Sequence, residues 1–245
     1  MVDIIEHLDW DTRHFGFKVA KMHAISRQDV QEGLRICQRN GVRLLIHRCG
    51  SEDYIHVHTL EDLGFRLMAG FMRYRQQVPD GDPLEIKFPG VLRFARPEDE
   101  ESVGRIAAAA FAGWGSHFHN DPRLDRAKCD GVYIEWARNS LHDRRLADHV
   151  VVAELEGSVA GFGASKVVKG NVCQNPMAAV SPAFQRRGVL KAMTAYSFNW
   201  AKSRNLKWIE GATVLSNYRA LRVVARFGLG FEIFETGYTF HKWFY

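Results

Sequence analysis

Residues 172–200 contain a strand, a basic turn and a helix start that together could bind an anion. The segment begins with an apolar strand, which ends at Ser181-Pro182, a pair typical of turns. A turn with one glycine, Gln185-Arg186-Arg187-Gly188, follows, and from Val189 apolar residues recur at helical spacing. Because the first amides of a helix have no partner within the helix, this arrangement predicts a phosphate or diphosphate site.

The residues around the turn carry a more specific signature. The pattern Val180-x-Pro182-x-x-Gln185-x-x-Gly188, followed later by Asn217-x-x-Ala220, resembles the acyl-CoA motif of the GNAT N-acetyltransferases, Q/R-x-x-G-x-G/A. It departs from that motif at the sixth position, which is Leu190 instead of a small residue. The resemblance implies that acetyl-CoA, or another short-chain acyl-CoA, is the cofactor. The residues that it implies in cofactor binding are Ala179, Val180, Gln185, Arg186, Arg187, Gly188, Val189, Leu190, Asn217 and Ala220.

Composition narrows the class of protein. A chain of 245 residues with 46% hydrophobic residues can bury a sizeable core. It has no apolar run near the roughly 20 residues that cross a bilayer, and its first residues carry acids where a secretory signal carries bases, which predicts a cytoplasmic protein that does not bind membranes. The four cysteines lack metal-site spacing, so no metal is expected. The net charge of +5 is compatible with nucleic acid and equally with an anionic small molecule, so the charge does not choose between these partners. The basic residues are scattered, with no long basic run or RNA-binding motif, so a small-molecule partner and no nucleic acid are expected. A homodimer is left open.

The order of elements predicts two α/β units. The order strand, helix, Gly-Phe, strand occurs twice in the chain. The first series consists of a strand at 42–46, a helix at 53–62, Gly64-Phe65 and a strand at 67–74. The second consists of a strand at 207–209, a helix at 217–227, Gly230-Phe231 and a strand at 238–243. The turn formers at 78–83 predict a boundary, with an N-terminal domain at 1–82 that resembles a partial GNAT unit and a GNAT acyltransferase domain at 83–245. The expected fold class is α/β, with a GNAT-like mixed central sheet flanked by helices.

Local signals place several elements. Ser26 and Asp29 predict a capped helix that ends at Asn40-Gly41. Two apolar strands around Glu156-Gly157-Ser158 predict a hairpin over 150–162.

Two further segments suggest an acceptor site. Residues 8–17, which we expect to form a structured turn, contain Asp9-Trp10-Asp11 and Phe15-Gly16, and the loop 113–125 contains His-Phe-His-Asn-Asp-Pro-Arg. Both resemble bacterial sugar-nucleotide N-acetyltransferases of the GNAT group, such as those acting on dTDP-fucosamine. Two alternatives stay open: the first segment is a hydrophobic anchor for the N-terminus, or the loop is solvated and its histidines are incidental. The substrate-binding residues that the resemblance suggests are Asp11, Phe15, Asp121, Arg123 and Tyr133.

Acyl transfer to an amine needs a base, a polarised carbonyl and a proton for the departing thiolate. A base works best with a pKa near the operating pH, which favours His119 and His117. Many GNAT enzymes supply the thiolate proton from a tyrosine seven residues after the helix-starting asparagine, but that position is Val224 here. The predicted function is transfer of an acetyl or other short acyl group to the amine of a nucleotide-linked amino sugar. The alternatives are acetylation of another small amine or a protein terminus, and a non-catalytic acyl-CoA-binding module.

Overall fold

The computed structural model describes residues 3–168, 170–225 and 230–245. The last two residues of the predicted helix 217–227 and the side chain of Val224 lie outside this description.

The described residues form one mixed α/β fold. Its strands are β1 (Ile5–His7), β2 (Val19–Met22), β3 (Leu44–Gly50), β4 (Arg66–Gln77), β5 (Val91–Phe94), β6 (His149–Leu155), β7 (Ser158–Val168), β8 (Val172–Val180), β9 (Trp208–Val214) and β10 (Glu232–Trp243). Its helices are α1 (Asp9–Phe15), α2 (Arg27–Arg39), α3 (Tyr54–Asp62), α4 (Glu100–Phe111), α5 (Arg126–Asn139), α6 (Val189–Ser203) and α7 (Tyr218–Ala225).

Local sequence signals account for several boundaries. Ser26 caps α2, and its hydroxyl accepts from the Asp29 amide while the Asp29 carboxylate accepts from the Ser26 amide, which confirms the predicted capping box. The β6–β7 hairpin confirms the predicted one. The prediction of a structured turn at residues 8–17 was wrong, because residues 9–15 form the short helix α1. Acids in its first turn favour the helix start, and Gly16 in the left-handed region ends it.

All ten strands form one sheet in the order β1-β2-β3-β10-β4-β9-β8-β7-β6-β5. The unit β3-α3-β4 has the same order of elements as β9-α7-β10, and the two units exchange their last strands. β10 lies between β3 and β4, and β4 lies between β9 and β10, with antiparallel pairing at each contact. The division at residue 82 therefore stays a prediction about organisation, while the sheet itself runs through both parts of the chain.

Helices cover both faces of the sheet. One face packs against α4 and α5 through the largest core cluster, which includes Phe111, Phe118, Phe162 and Trp243. On the other face, α6 packs near the β8–β9 pair through Phe198, Trp200 and Ile209. Nowhere in the described ranges is a helix long and apolar enough to cross a membrane.

Candidate functional site

The parallel strands β8 and β9 separate partway along their length. They pair only from Val172–Trp208 to Gln174–Glu210. Beyond this point β8 stays paired with β7, and β9 stays paired with β4. Within the described part of the chain, the facing edges of 175–180 and 211–214 therefore have no strand partner. At roughly 3.3 Å per residue, residues 175–180 span about 17–20 Å, which is about the length of an extended pantetheine arm. The opening can therefore take an extended ligand that hydrogen-bonds as a strand does.

An irregularity in β8 accompanies this separation. The β7–β8 register shifts between the Lys166–Gln174 and Ala164–Met177 pairs, so β8 has an extra residue around Asn175-Pro176. Such a bulge redirects backbone groups, and amides near it can polarise a carbonyl in the opening.

The opening leads to the start of α6. The N-cap of α6 is Gly188, with φ of 81° and no side-chain capping bond, so the first amides of the helix are free to bind an anion. A Cβ added to Gly188 would meet no atom of the described residues within 4 Å, so the space beside this glycine is open. Leu190, the departure from the motif, packs its side chain onto the apolar cluster that contains Val189 and Met193.

Other predicted cofactor residues border the same opening. Ala179 and Val180 lie at the end of β8, and Gln185 and Arg186 are exposed in the turn. Arg187 is paired with Glu156 (3.1 Å from Nη1 to Oε2). Asn217 accepts from the amide of Ala220 at 3.3 Å and so begins α7 beside the end of β9. The structure thus brings the predicted cofactor residues to the β8–β9 opening or its borders; their contacts with a cofactor stay predictions.

The N-terminal part has a similar strand-turn-helix unit without these features. β2 pairs with β3 along its whole length, from Val19–Leu44 to Met22–His47. The first amides of α2 are partly satisfied by the Ser26 and Asp29 cap. This N-terminal unit has neither an opening between its strands nor an uncapped helix N-terminus. Of the two units, the one that ends in α6 therefore has the geometry for binding a diphosphate.

Two residues of the loop 113–125, Asp121 and His117, form a chain of hydrogen bonds with His241 of β10. Nδ1 of His241 on β10 donates to Asp121 (2.8 Å to Oδ2), and Nδ1 of His117 lies 2.9 Å from Nε2 of His241. Burial raises the pKa of Asp121, but hydrogen bonds from His241, Arg123 and Trp243 outweigh burial and hold it below its usual range. An ionised Asp121 fixes the proton of His241 on Nδ1, so His117 must donate from its own Nδ1. Among the described residues, the lone pair of His117 Nε2 has no hydrogen-bond donor.

The charge state of His117 suits a base. Burial, together with the neighbouring His241 and Arg48 side chains, lowers the pKa of His117 well below its ordinary value. His117 is therefore neutral at neutral pH, and it lies on the α4–α5 face of the sheet.

His119, the other predicted base, is differently placed. It is buried, its Nδ1 accepts from Ser116 Oγ (2.8 Å), and its Nε2 donates to Asp130 Oδ1 (2.9 Å). Both ring nitrogens are occupied, so His119 has no free lone pair with which to take a proton.

Four of the five predicted acceptor residues lie around the loop 113–125, and the fifth, Asp11, lies apart from them on α1. Phe15 and Tyr133 are buried, and Phe15 packs against Phe118 (5.2 Å between ring centroids) and so supports the loop. Asp121 is buried, and Arg123 pairs with it (2.8 Å). Asp11 is only partly buried, on α1, and burial raises its pKa. The structure brings four of these residues together around the loop, and direct contact with an acceptor stays a prediction.

Two residues of the site were missed from the sequence. His241 belongs to the β-strand pattern of β10, and nothing in that local pattern indicates a contact with His117. Glu210 is the last β9 residue paired with β8, at the point where the strands separate, and its carboxylate lies 3.3 Å from Arg73 of β4. An acid in the apolar strand Trp208–Val214 was the available signal for Glu210.

Comparisons with known proteins agree with this geometry. Residues 114–229 match the model of the acetyltransferase (GNAT) family. The spore coat polysaccharide biosynthesis protein SpsD of Bacillus subtilis (strain 168) is 26% identical over 159 residues, which are 64% of this chain and 53% of that protein. The chain thus spans about half the length of this relative.

Solved structures share the fold. A GCN5-related N-acetyltransferase from Sphaerobacter thermophilus superposes with a TM-score of 0.67 at 15% identity, covering 98% of this chain and 76% of the other. A tandem GNAT protein from the clavulanic acid biosynthesis pathway gives 0.63 at 12% identity, covering 92% and 75%. The family match and the fold therefore agree on an acetyltransferase domain of the GNAT family that includes residues 114–229.

Proposed function

We propose that this protein transfers an acetyl or other short acyl group from acyl-CoA to the amine of a nucleotide-linked amino sugar. The observation that carries the acyl-CoA part is the opening between β8 and β9, which leads to the uncapped N-terminus of α6. Acyl-CoA fits this shape, with its diphosphate at the turn 185–190 and its pantetheine arm beside β8.

Two observations support a sugar acceptor. The relative SpsD is named for polysaccharide biosynthesis. The loop 113–125 and the aromatic α1 segment, which suggested sugar-nucleotide enzymes, lie together, since Phe15 packs on Phe118. The cytoplasmic location and any homodimer stay predictions.

In the proposed reaction, the amine nitrogen attacks the thioester carbonyl and the C–S bond then breaks. His117 accepts the amine proton at its free Nε2, and backbone amides of β8 stabilise the oxyanion. Asp121 and His241 hold His117 in the tautomer that this step needs.

The test mixes the protein with acetyl-CoA, a thiol reagent and a panel of free and nucleotide-linked amino sugars. We expect CoA release with the nucleotide-linked amines. Release with free amines alone would contradict the sugar-nucleotide acceptor, and no release with any amine would favour an acyl-CoA-binding module.

Variants of the two loop histidines should behave differently. His117→Gln should lower kcat by about 10²–10⁴, the usual contribution of a general base. His119→Gln should chiefly lower stability, by about 1–3 kcal/mol, because Ser116 and Asp130 lose a buried partner.

The pH profile gives a second readout of the same prediction. Since its surroundings lower the pKa of His117, the base is deprotonated at neutral pH, and the acid limb of the kcat profile should lie below the pH of 6.5 that is usual for histidine. Full turnover by His117→Gln, or an unfolding temperature for His119→Gln equal to that of the wild type, would count against these roles.

A further inference from the structure

The position from which many GNAT enzymes protonate the thiolate is Val224 here, which has no proton to give. A tyrosine on a different strand borders the opening. Tyr74 belongs to β4, which comes from the N-terminal part of the chain, and it pairs directly with Gly211 of β9. Gly211 follows Glu210, so it is the first β9 residue beyond the point where β8 and β9 separate.

The Tyr74 ring lies over Gly211. A Cβ built on Gly211 would lie 2.3 Å from the Tyr74 hydroxyl oxygen and 2.4 Å from its Cζ, far inside contact distance. The absence of a side chain at this mid-strand position is therefore what allows the hydroxyl to lie against β9 at the inner end of the opening. A glycine inside a strand commonly marks such a close approach.

The hydroxyl is available to a ligand. Among the described residues no hydrogen bond engages it, while the ring is held by a contact with Phe231 (5.4 Å between centroids). Burial raises the pKa of Tyr74, so the hydroxyl keeps its proton at neutral pH. The Tyr74 hydroxyl lies on the face of the sheet where Ile209 of β9 packs toward α6. His117, which contacts His241, lies on the opposite face of the sheet.

We propose that Tyr74 is the catalytic acid that protonates the departing CoA thiolate. In this proposal the diphosphate binds at the turn 185–190, beyond the end of β8 where the two strands are far apart. The acyl end of the pantetheine arm then lies where β8 and β9 separate, beside Gly211. When the C–S bond breaks, its electron pair stays on sulfur, and the Tyr74 O–H proton passes to it to give the CoA thiol. The tyrosinate regains a proton from solvent, and the amine proton leaves through His117. This assignment rests on the proposed acyl transfer.

The kinetic test is Tyr74→Phe, which removes only the hydroxyl, with Tyr196→Phe as a matched control because burial also raises the pKa of that half-buried tyrosine. With any amine that the wild type accepts, Tyr74→Phe should lower kcat roughly tenfold or more while KM for acetyl-CoA changes little. Tyr196→Phe should match the wild type. Full-rate turnover by Tyr74→Phe overturns the assignment.

A binding test works even if no amine is acylated. Titration calorimetry compares CoA with desulfo-CoA, which lacks the sulfur, on the wild type and on Tyr74→Phe. We expect the wild type to prefer CoA several-fold and the variant to lose this preference, as in a double-mutant cycle. An equal preference in both proteins overturns the contact between Tyr74 and sulfur. Loss of the preference without any CoA release would instead keep the contact and reject the acyl transfer.

Discussion

Replacing Gly188 with tryptophan should abolish coenzyme binding. Gly188 has φ of 81°, and the space beside it is open, so an indole there fills the place where the diphosphate meets the first amides of α6. Hydrogen bonds to a charged group contribute about 1.5–3 kcal/mol each. Loss of two or more of them should weaken CoA binding at least about 100-fold in titration calorimetry.

Gly41→Trp provides the matched control. Gly41 also has a positive φ, of 66°, and open space around its Cβ position, but it lies at the end of α2, in the N-terminal part. Both variants carry the backbone strain of a side chain at positive φ, roughly 1–2 kcal/mol. Only Gly188→Trp should lose CoA; unchanged affinity in that variant would refute the placement of the diphosphate.

Removing residues 1–82 should prevent the remaining chain from folding. In the intact sheet β10 pairs with β3 and β4, both of which would be lost, and β9 would lose its β4 partner. Unpaired strand edges of this kind promote aggregation. We expect residues 83–245 alone to show no cooperative thermal transition by circular dichroism.

A protease site inserted at Gly81 supplies the control, because Gly81 is exposed in the irregular segment between β4 and β5. The cut protein should stay together and keep its CoA affinity. A folded, CoA-binding fragment of residues 83–245 would show instead that the second unit is independent.

Much of the fold could be predicted because its signals are local. The Ser26 cap, the hairpin at Gly157 and the turn before α6 depend on neighbouring residues, and each was found at its predicted place. The exchange of β4 and β10 could not be predicted in this way. Each strand has the same alternating pattern whichever neighbour it takes, and the pairing joins residues far apart in sequence.

The same distinction separates the parts of the site. The diphosphate turn is contiguous, so its residues could be named from the sequence. The His117–His241 contact and the Tyr74–Gly211 contact each join segments more than a hundred residues apart, through hydrogen bonds or packing that only the folded sheet creates. For the same reason, the sequence ranked His119 with His117. In the folded chain both ring nitrogens of His119 are hydrogen-bonded, whereas only one of His117 has a partner among the described residues.

A crystal structure of the protein with acetyl-CoA tests the central claim most directly. We expect the diphosphate oxygens within about 2.7–3.2 Å of amides in the turn 185–190, and the pantetheine arm between β8 and β9 with its sulfur beside Gly211. A bound coenzyme that leaves the β8–β9 opening empty, with its diphosphate away from Gly188, would contradict this account.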